Sequence, residues 1–426
     1  MSTKKLARAL AATVVVSSLA LAGCSSKAQT GGSSGGDASG KGAVKTDVGV
    51  TDSEITLGNL TDLSGVFKIL GLGITQGTEM WAEDVNAAGG ICNRKIKITS
   101  SDHGYSAEKA VPLYNQTKGQ VLGYVQLLGS PILAALKKPM VDDKVSAVPS
   151  SWASTNLDAP EVVMVGTTYD VEMVNGMSYL MEQGKIKEGD SIGHIYIDSE
   201  YGKNGFAGSS AFAKEHNMTM VPKTVTSTDA DLTSSITALK SAGVKAIMLT
   251  TTPAQTASAV GQAAAQGLNV PIFGSNPTYA PQLLGTPAAA ALTSGQFITA
   301  AGIQPFNSTD PKVQELAKRY KEKYKDTPTF GPLVGYTFGQ TWGEMLKKAC
   351  DAGDLTRQGI LDAKAQTKVD TGGLAPSILD FTKPGEPSTR AVYLMKPAKV
   401  EGGLELVQPE PYTSKEAEAF KTPFQK

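Results

Sequence analysis

Between residues 55 and 273 short apolar runs alternate with longer stretches whose apolar residues recur every three or four positions, and no other feature narrows the possible folds as far. The first run, Ile55-Thr56-Leu57-Gly58-Asn59-Leu60, reads as a strand. Ile74, Thr78, Trp81 and Val85 then predict a helix over 74–88, stopped by Gly89-Gly90. Strand-like segments recur at 95–99, 124–128, 145–148, 191–197, 246–250 and 271–273, with helix-like segments at 107–118, 203–216, 232–242 and 254–267. Farther on, 311–324, 332–352 and 355–365 read as helices and 390–395 as a last strand. Alternation of this kind builds parallel sheets covered by helices on both faces. Ile195-Tyr196-Ile197 and Ala246-Ile247-Met248-Leu249 are nearly continuous apolar runs, as burial on both faces requires. The expected class is α/β with doubly wound parallel sheets.

Charge excludes one class of partner. The 40 Lys and Arg residues balance 40 Asp and Glu, so the chain lacks the overall field that gathers nucleic acid or coats an anionic membrane. Lys4, Lys5 and Arg8 precede an apolar stretch over 9–22, which is short for a bilayer span, and Leu21-Ala22-Gly23-Cys24 closes it. This arrangement resembles the modification box of a bacterial lipoprotein. It implies removal of residues 1–23 and a lipid on the Cys24 sulfur, which would hold an extracytoplasmic protein to the bacterial cell membrane. An ordinary secretory signal cut nearby and an uncut anchor are the alternatives. Residues 24–50, with Gly31-Gly32-Ser33-Ser34-Gly35-Gly36 among them, offer little to bury and read as a tether. Its root-mean-square reach is roughly 25 Å. Folded sequence is expected from Thr51, and the roughly 380 residues left after the signal and tail exceed what one core usually covers, which suggests two lobes. Cys92 and Cys350 are the remaining cysteines. In an exported protein they are expected to pair, two isolated buried thiols being the alternative.

In open parallel sheets, ligands bind beyond the carboxyl ends of the strands, where loops enter helix N-termini. The residues at those ends are Thr61-Asp62-Leu63-Ser64-Gly65, Leu128-Gly129-Ser130-Pro131, Ser150-Ser151-Trp152-Ala153-Ser154, Asp198-Ser199-Glu200-Tyr201-Gly202, Thr250-Thr251-Thr252 and Ser275-Asn276-Pro277. Hydroxyls and small residues recur in nearly all of them. Such loops can offer backbone N–H groups, hydroxyls and helix dipoles to a carboxylate or another polar head. Capping is the commonest single use of each Ser or Thr, but six such loops at the ends of two sheets favour a binding cleft.

Enzyme motifs are weak by comparison. Gly31 to Gly35 matches G-x-S-x-G by chance, since it lies in the tether with no preceding strand. Ser106-Ala107-Glu108-Lys109 fits S-x-x-K without its companion patterns and reads as a helix start capped by Ser106. His103, His194 and His216 are scattered and signal neither a zinc site nor a triad. No phosphate-loop or dinucleotide pattern occurs in a suitable context, so neither a cofactor nor catalysis is expected.

Gly58-Asn59-Leu60-Thr61-Asp62-Leu63-Ser64-Gly65, Asn86-Ala87-Ala88-Gly89-Gly90-Ile91-Cys92-Asn93-Arg94-Lys95-Ile96 and Asp102-His103-Gly104-Tyr105-Ser106 resemble the opening of branched-chain amino-acid-type solute-binding proteins. Tyr201-Gly202, Phe273-Gly274 and Gly335-Tyr336 extend the resemblance over the whole body. It implies a type I periplasmic binding protein with two lobes joined by a three-crossover hinge, lobe I being 51–169 plus 304–367 and lobe II 170–303 plus 368–426. It further implies a monomer that closes on a small-molecule solute and delivers it to an ABC transporter permease. The implied contacts fall on Ser130, Pro131, Ser151, Trp152, Ala153, Ser154, Tyr201, Thr251 and Asn276, and Phe67 could wall a planar or apolar ligand with Trp152 and Tyr201. Asn276 stands where amino-acid binders of the family place a carboxylate for the ligand ammonium. An amide cannot supply that charge, so an organic or aromatic acid, an amide or an amino-acid-like compound is expected in preference to leucine itself. A receptor-linked sensor and a cell-wall hydrolase are the competing readings.

Overall fold

The computed structural model describes residues 44–425. Residues 1–43, with the expected signal, Cys24 and most of the tether, lie outside the described residues. Residues 44–50, expected to belong to the tether, are part of the fold: Lys45–Thr46 pairs in parallel with Asp354–Leu355, and Val44 and Val50 pack on the core.

The first sheet holds four parallel strands in the order Lys95–Asp102, Glu54–Thr61, Gly123–Leu128, Ala147–Ser150. The second holds seven, in the order Leu404–Leu406, Tyr393–Pro397, Phe297–Ala301, Ile272–Gly274, Ala246–Thr250, Ser191–Ile197, Thr219–Val225. Five of these run parallel, as the alternation predicts. Tyr393–Pro397 pairs antiparallel with Phe297–Ala301, and Leu404–Leu406 pairs antiparallel with Tyr393–Pro397, a departure from the all-parallel expectation. They form a terminal hairpin on the open edge, where no crossover helix dictates direction. The chain passes between the sheets through 151–168, returns through 302–310 and crosses again through 365–392.

In each sheet the strand order reverses beside the first strand laid down. Glu54–Thr61 lies between Lys95–Asp102 and Gly123–Leu128, and Ser191–Ile197 lies between Thr219–Val225 and Ala246–Thr250. Loops leaving adjacent strands there turn to opposite faces and leave a crevice. Both crevices lie at strand carboxyl ends, and these frame the site.

Two helices fix one wall of it. Lys68–Ala87 and Gly331–Asp351 approach so closely that a Cβ on Gly335 would lie 2.0 Å from the Ile74 carbonyl oxygen, and one on Gly77 would lie 2.1 Å from that of Pro332. Trp342 is fully buried beneath this pair and donates its indole N–H to the Tyr124 carbonyl at 3.1 Å. Cys92 and Cys350 are joined by a disulfide with Cα atoms 5.9 Å apart, tying the end of Gly331–Asp351 to the loop after Lys68–Ala87. Ser106 caps the helix Ala107–Thr117 as its sequence position suggests, accepting from the Lys109 N–H. Thr252 and Gln255 form a reciprocal capping box at the start of Pro253–Ala265. Among the described residues no helix is long and apolar enough to cross a membrane.

Candidate functional site

At the first crevice, Asp62 folds the chain leaving Glu54–Thr61. Its Oδ1 accepts from the N–H groups of Ser64 and Gly65 at 3.2 and 2.5 Å, and its Oδ2 from that of Phe67 at 2.9 Å. This turn opens the helix Lys68–Ala87 and sets the Phe67 ring 4.8 Å from that of Tyr105. Beside it, Gly129 turns Gly123–Leu128 into the helix Ser130–Asp143 at φ 111°, where a Cβ would meet Ile132 Cδ1 at 2.7 Å. Only glycine takes that conformation without strain. Pro131 sits in the first helical turn, where its missing N–H costs nothing.

From the second sheet, Tyr201 enters on the helix Glu200–Glu215, its ring 4.6 Å from Tyr169. Its hydroxyl donates to the Thr251 carbonyl at 3.2 Å and lies 2.7 Å from Ser275 Oγ. Trp152 completes an aromatic wall, 6.1 Å from Tyr169 and 6.4 Å from Phe338, with its indole N–H donated to the Val165 carbonyl at 2.7 Å.

Most strand-end hydroxyls turn out to be engaged with the protein itself. Ser130 and Ser151 share a hydrogen bond of 2.7 Å, and Thr251 and Thr256 one of 2.9 Å. Ser154 donates to Asp170 Oδ2 at 2.5 Å, and Asn204 Nδ2 reaches both Ser154 Oγ and that carboxylate, at 2.8 and 3.3 Å. Ala153 is fully buried ahead of the short 3-10 turn Ser154–Asn156. Of the expected contact residues, Phe67, Ser130, Trp152, Tyr201 and Asn276 line pockets, while Pro131, Ser151, Ala153, Ser154 and Thr251 stand behind that surface.

Three pockets adjoin along the cleft through shared wall residues. The innermost has a cavity volume of about 20 Å³ between Trp152, Ile303, Phe330, Val334 and Phe338. Trp152 separates it from a second space of about 20 Å³ beside Tyr105, Tyr169 and Tyr201. Phe67, Leu70 and Pro277 connect the second to a groove of about 200 Å³ that includes Val66, Ile69 and Leu283, and Phe330 links that groove back to the innermost space. No Lys or Arg is among the lining residues of any of the three.

The polar end is the innermost pocket. Glu172, on the helix Tyr169–Glu182, is fully buried there and its two oxygens accept from the Asn276 backbone N–H at 3.1 Å and side-chain Nδ2 at 3.2 Å. Burial pushes its carboxyl up to about 8, against the opposing pull of the two Asn276 hydrogen bonds, and the nearby Asp170 carboxylate pushes the same way as burial. Around it, Asn276 Oδ1, Thr167 Oγ1 and Thr337 Oγ1 are buried and have no hydrogen-bond partner among the described residues. Buried polar atoms in a folded protein are nearly always paired, so this group has unused capacity to hold a polar head. Sequence reasoning missed Glu172, Thr167, Ile303, Phe330, Val334, Thr337 and Phe338. A carboxylate inside the mostly apolar stretch Val171-Glu172-Met173-Val174 was the one signal that could have pointed to the first.

The sequence profile described as periplasmic binding protein matches residues 54–402. A solved fatty acid ABC transporter substrate-binding protein from Thermomonospora curvata is 38% identical at a TM-score of 0.85, spanning 89% of this chain and 97% of its own. A branched chain amino acid ABC transporter protein from Thermus thermophilus, solved with bound valine, shares the fold at a TM-score of 0.75 with 16% identity, over 87% of this chain and 99% of its own. Leu/Ile/Val-binding protein homolog 8 of Brucella abortus (strain 2308) is 25% identical over 305 residues, which is 66% of this chain and 72% of that protein. With the profile spanning the first sheet, all but the edge strand Leu404–Leu406 of the second and every residue of the three adjoining pockets, the chain belongs to the periplasmic binding protein family, whose extracytoplasmic solute-binding role it shares.

Proposed function

We propose that this protein captures a fatty-acid-like solute, an apolar chain carrying one small polar head, and presents it to an ABC importer without chemically changing it. The observation that carries this reading is the run of adjoining apolar pockets whose lining residues include no Lys or Arg. A fixed anion buried there without a counter-charge would be costly, whereas an alkyl chain gains about 25 cal/mol for each Å² it removes from water. The 38% identity to a protein described as binding fatty acid points to the same class. Asn276 stands in the innermost pocket where an acidic side chain would be needed, and Glu172 beside it is held protonated by burial and supplies no charge in its place, which weakens the case for a free amino acid.

Capture proceeds by closure of two lobes built on the two sheets, 51–169 with 304–367 and 170–303 with 368–426. Trp152 and Phe330 on one side and Tyr201 and Asn276 on the other meet one ligand only when the lobes are together, so the ligand shifts the population toward the closed form. A lipid on Cys24 keeps the monomeric body near its permease. Calorimetry with sodium decanoate and with leucine, isoleucine and valine tests the reading. Decanoate binding with little response to the amino acids is expected; tight leucine binding with no response to decanoate overturns it.

A further inference from the structure

Resting on the fatty-acid reading, we propose that Glu172 anchors the ligand head and binds a carboxylic acid as a proton-sharing pair, the two carboxyl groups together holding one proton. Glu172 lines the innermost pocket and is fully buried. Each of its oxygens accepts one hydrogen bond from Asn276, and toward a ligand carboxylate, which can only accept, Glu172 can serve only as a donor, which a carboxyl is when protonated. A ligand carboxylate would accept that proton's hydrogen bond and those of the Thr167 and Thr337 hydroxyls, both unpartnered among the described residues. Two adjacent carboxylates cannot both ionise in such a place, and one shared proton removes the conflict.

No charged side chain supplies an alternative. On its own helix Glu172 faces Asp170, which repels a second negative charge, and Tyr169; from the helix Glu200–Glu215 it faces Tyr201. Burial pushes both tyrosines well above their ordinary value, so they stay neutral. From 302–303 and the helix Gly331–Asp351 the pocket receives only uncharged side chains, Ile303, Val334, Thr337 and Phe338 among them. Burial holds Glu172 protonated up to about pH 8 in the free protein.

The proton balance fixes the test. Below that value the protein already carries the proton and a carboxylate ligand binds with little exchange with solvent. Above it the free protein is ionised, binding takes up one proton, and Kd rises about tenfold for each pH unit. Titration calorimetry with sodium decanoate from pH 6.5 to 9.5, in two buffers of different ionisation enthalpy, reads both affinity and proton uptake. Expected are a flat Kd to about pH 8, a rise beyond it with uptake approaching one proton, and no such rise in Glu172→Gln, whose amide donates at every pH. Decanoate binding whose Kd is flat to pH 9.5 in the unaltered protein, or a rise that persists in Glu172→Gln, overturns the proton-sharing pair while leaving the fatty-acid reading intact. Failure of decanoate to bind where leucine binds removes the reading itself.

Discussion

Replacing Gly335 by alanine tests how tightly the helix pair behind the site is set. The added Cβ would lie 2.0 Å from the Ile74 carbonyl oxygen, 2.8 Å from the Ile74 carbonyl carbon and 2.9 Å from the Thr78 nitrogen. Carbon and oxygen normally approach to about 3.3 Å, so the overlap exceeds an ångström, and the obstacle is backbone that cannot rotate away. Overpacking of this kind costs about 1–3 kcal/mol, and the rigid obstacle argues for the upper end. Alanine recovers about 1 kcal/mol of helix propensity over glycine. The net expectation is a loss of about 2 kcal/mol, or on the order of thirtyfold in the folding equilibrium. Urea unfolding followed by tryptophan fluorescence measures it, since Trp81 packs against Gly339 and Gly343 on the same helix. Gly261→Ala is the control: inside Pro253–Ala265 its Cβ would meet only the Ala288 Cβ at 3.6 Å, so a gain of about 0.5–1 kcal/mol is expected. Val334, Thr337 and Phe338 flank Gly335 in the pocket wall, so decanoate affinity falls with stability in Gly335→Ala. A Gly335→Ala protein as stable as the original would refute the close-packing argument.

Two further outcomes follow from buried chemistry. Removing the disulfide in Cys92→Ser with Cys350→Ser should lower stability by about 2–5 kcal/mol, since it closes a loop with a sequence separation of 258, and denaturant titration of oxidised and mutant protein checks this. His194 is fully buried between Ser209 Oγ at 2.7 Å and Thr250 Oγ1 at 3.0 Å, and burial lowers its imidazole to about 3. The unfolded chain therefore binds a proton that the folded one refuses, so its contribution is whole above the ordinary value near 6.5 and lost progressively toward pH 3. His194→Gln should reduce the slope of stability against pH between about 6 and 4 by up to about 1.4 kcal/mol per unit, and equal slopes in the two proteins would exclude the effect.

Local signals carried much of the secondary structure. Strands such as Ser191–Ile197 and Ala246–Thr250 were legible because burial on both faces demands continuous apolar runs. The helix Ser130–Asp143 was not, since Pro131 and Pro139 disguise it as loop, yet one sits in the first turn and the other is accommodated within. Tyr169–Glu182 was hidden for another reason: nearly every residue in it is buried, so no polar face marks the 3.6-residue period. Thr219–Val225 is an edge strand paired on one side only, and Pro222 within it reads as a breaker.

The sequence by itself determined the α/β alternation, the strand ends where a ligand would sit and the family resemblance, because each depends on residues close together along the chain. Only the tertiary structure decided which hydroxyls remain unpaired. Ser130 meets Ser151 and Ser154 meets Asp170 across turns whose geometry no local spacing encodes. It also brought Glu172 to Asn276, 104 residues away, and closed apolar residues from distant helices around them. Burial, which sets both the charge of that carboxyl and the class of head it can hold, is a property of the assembled pocket rather than of any segment.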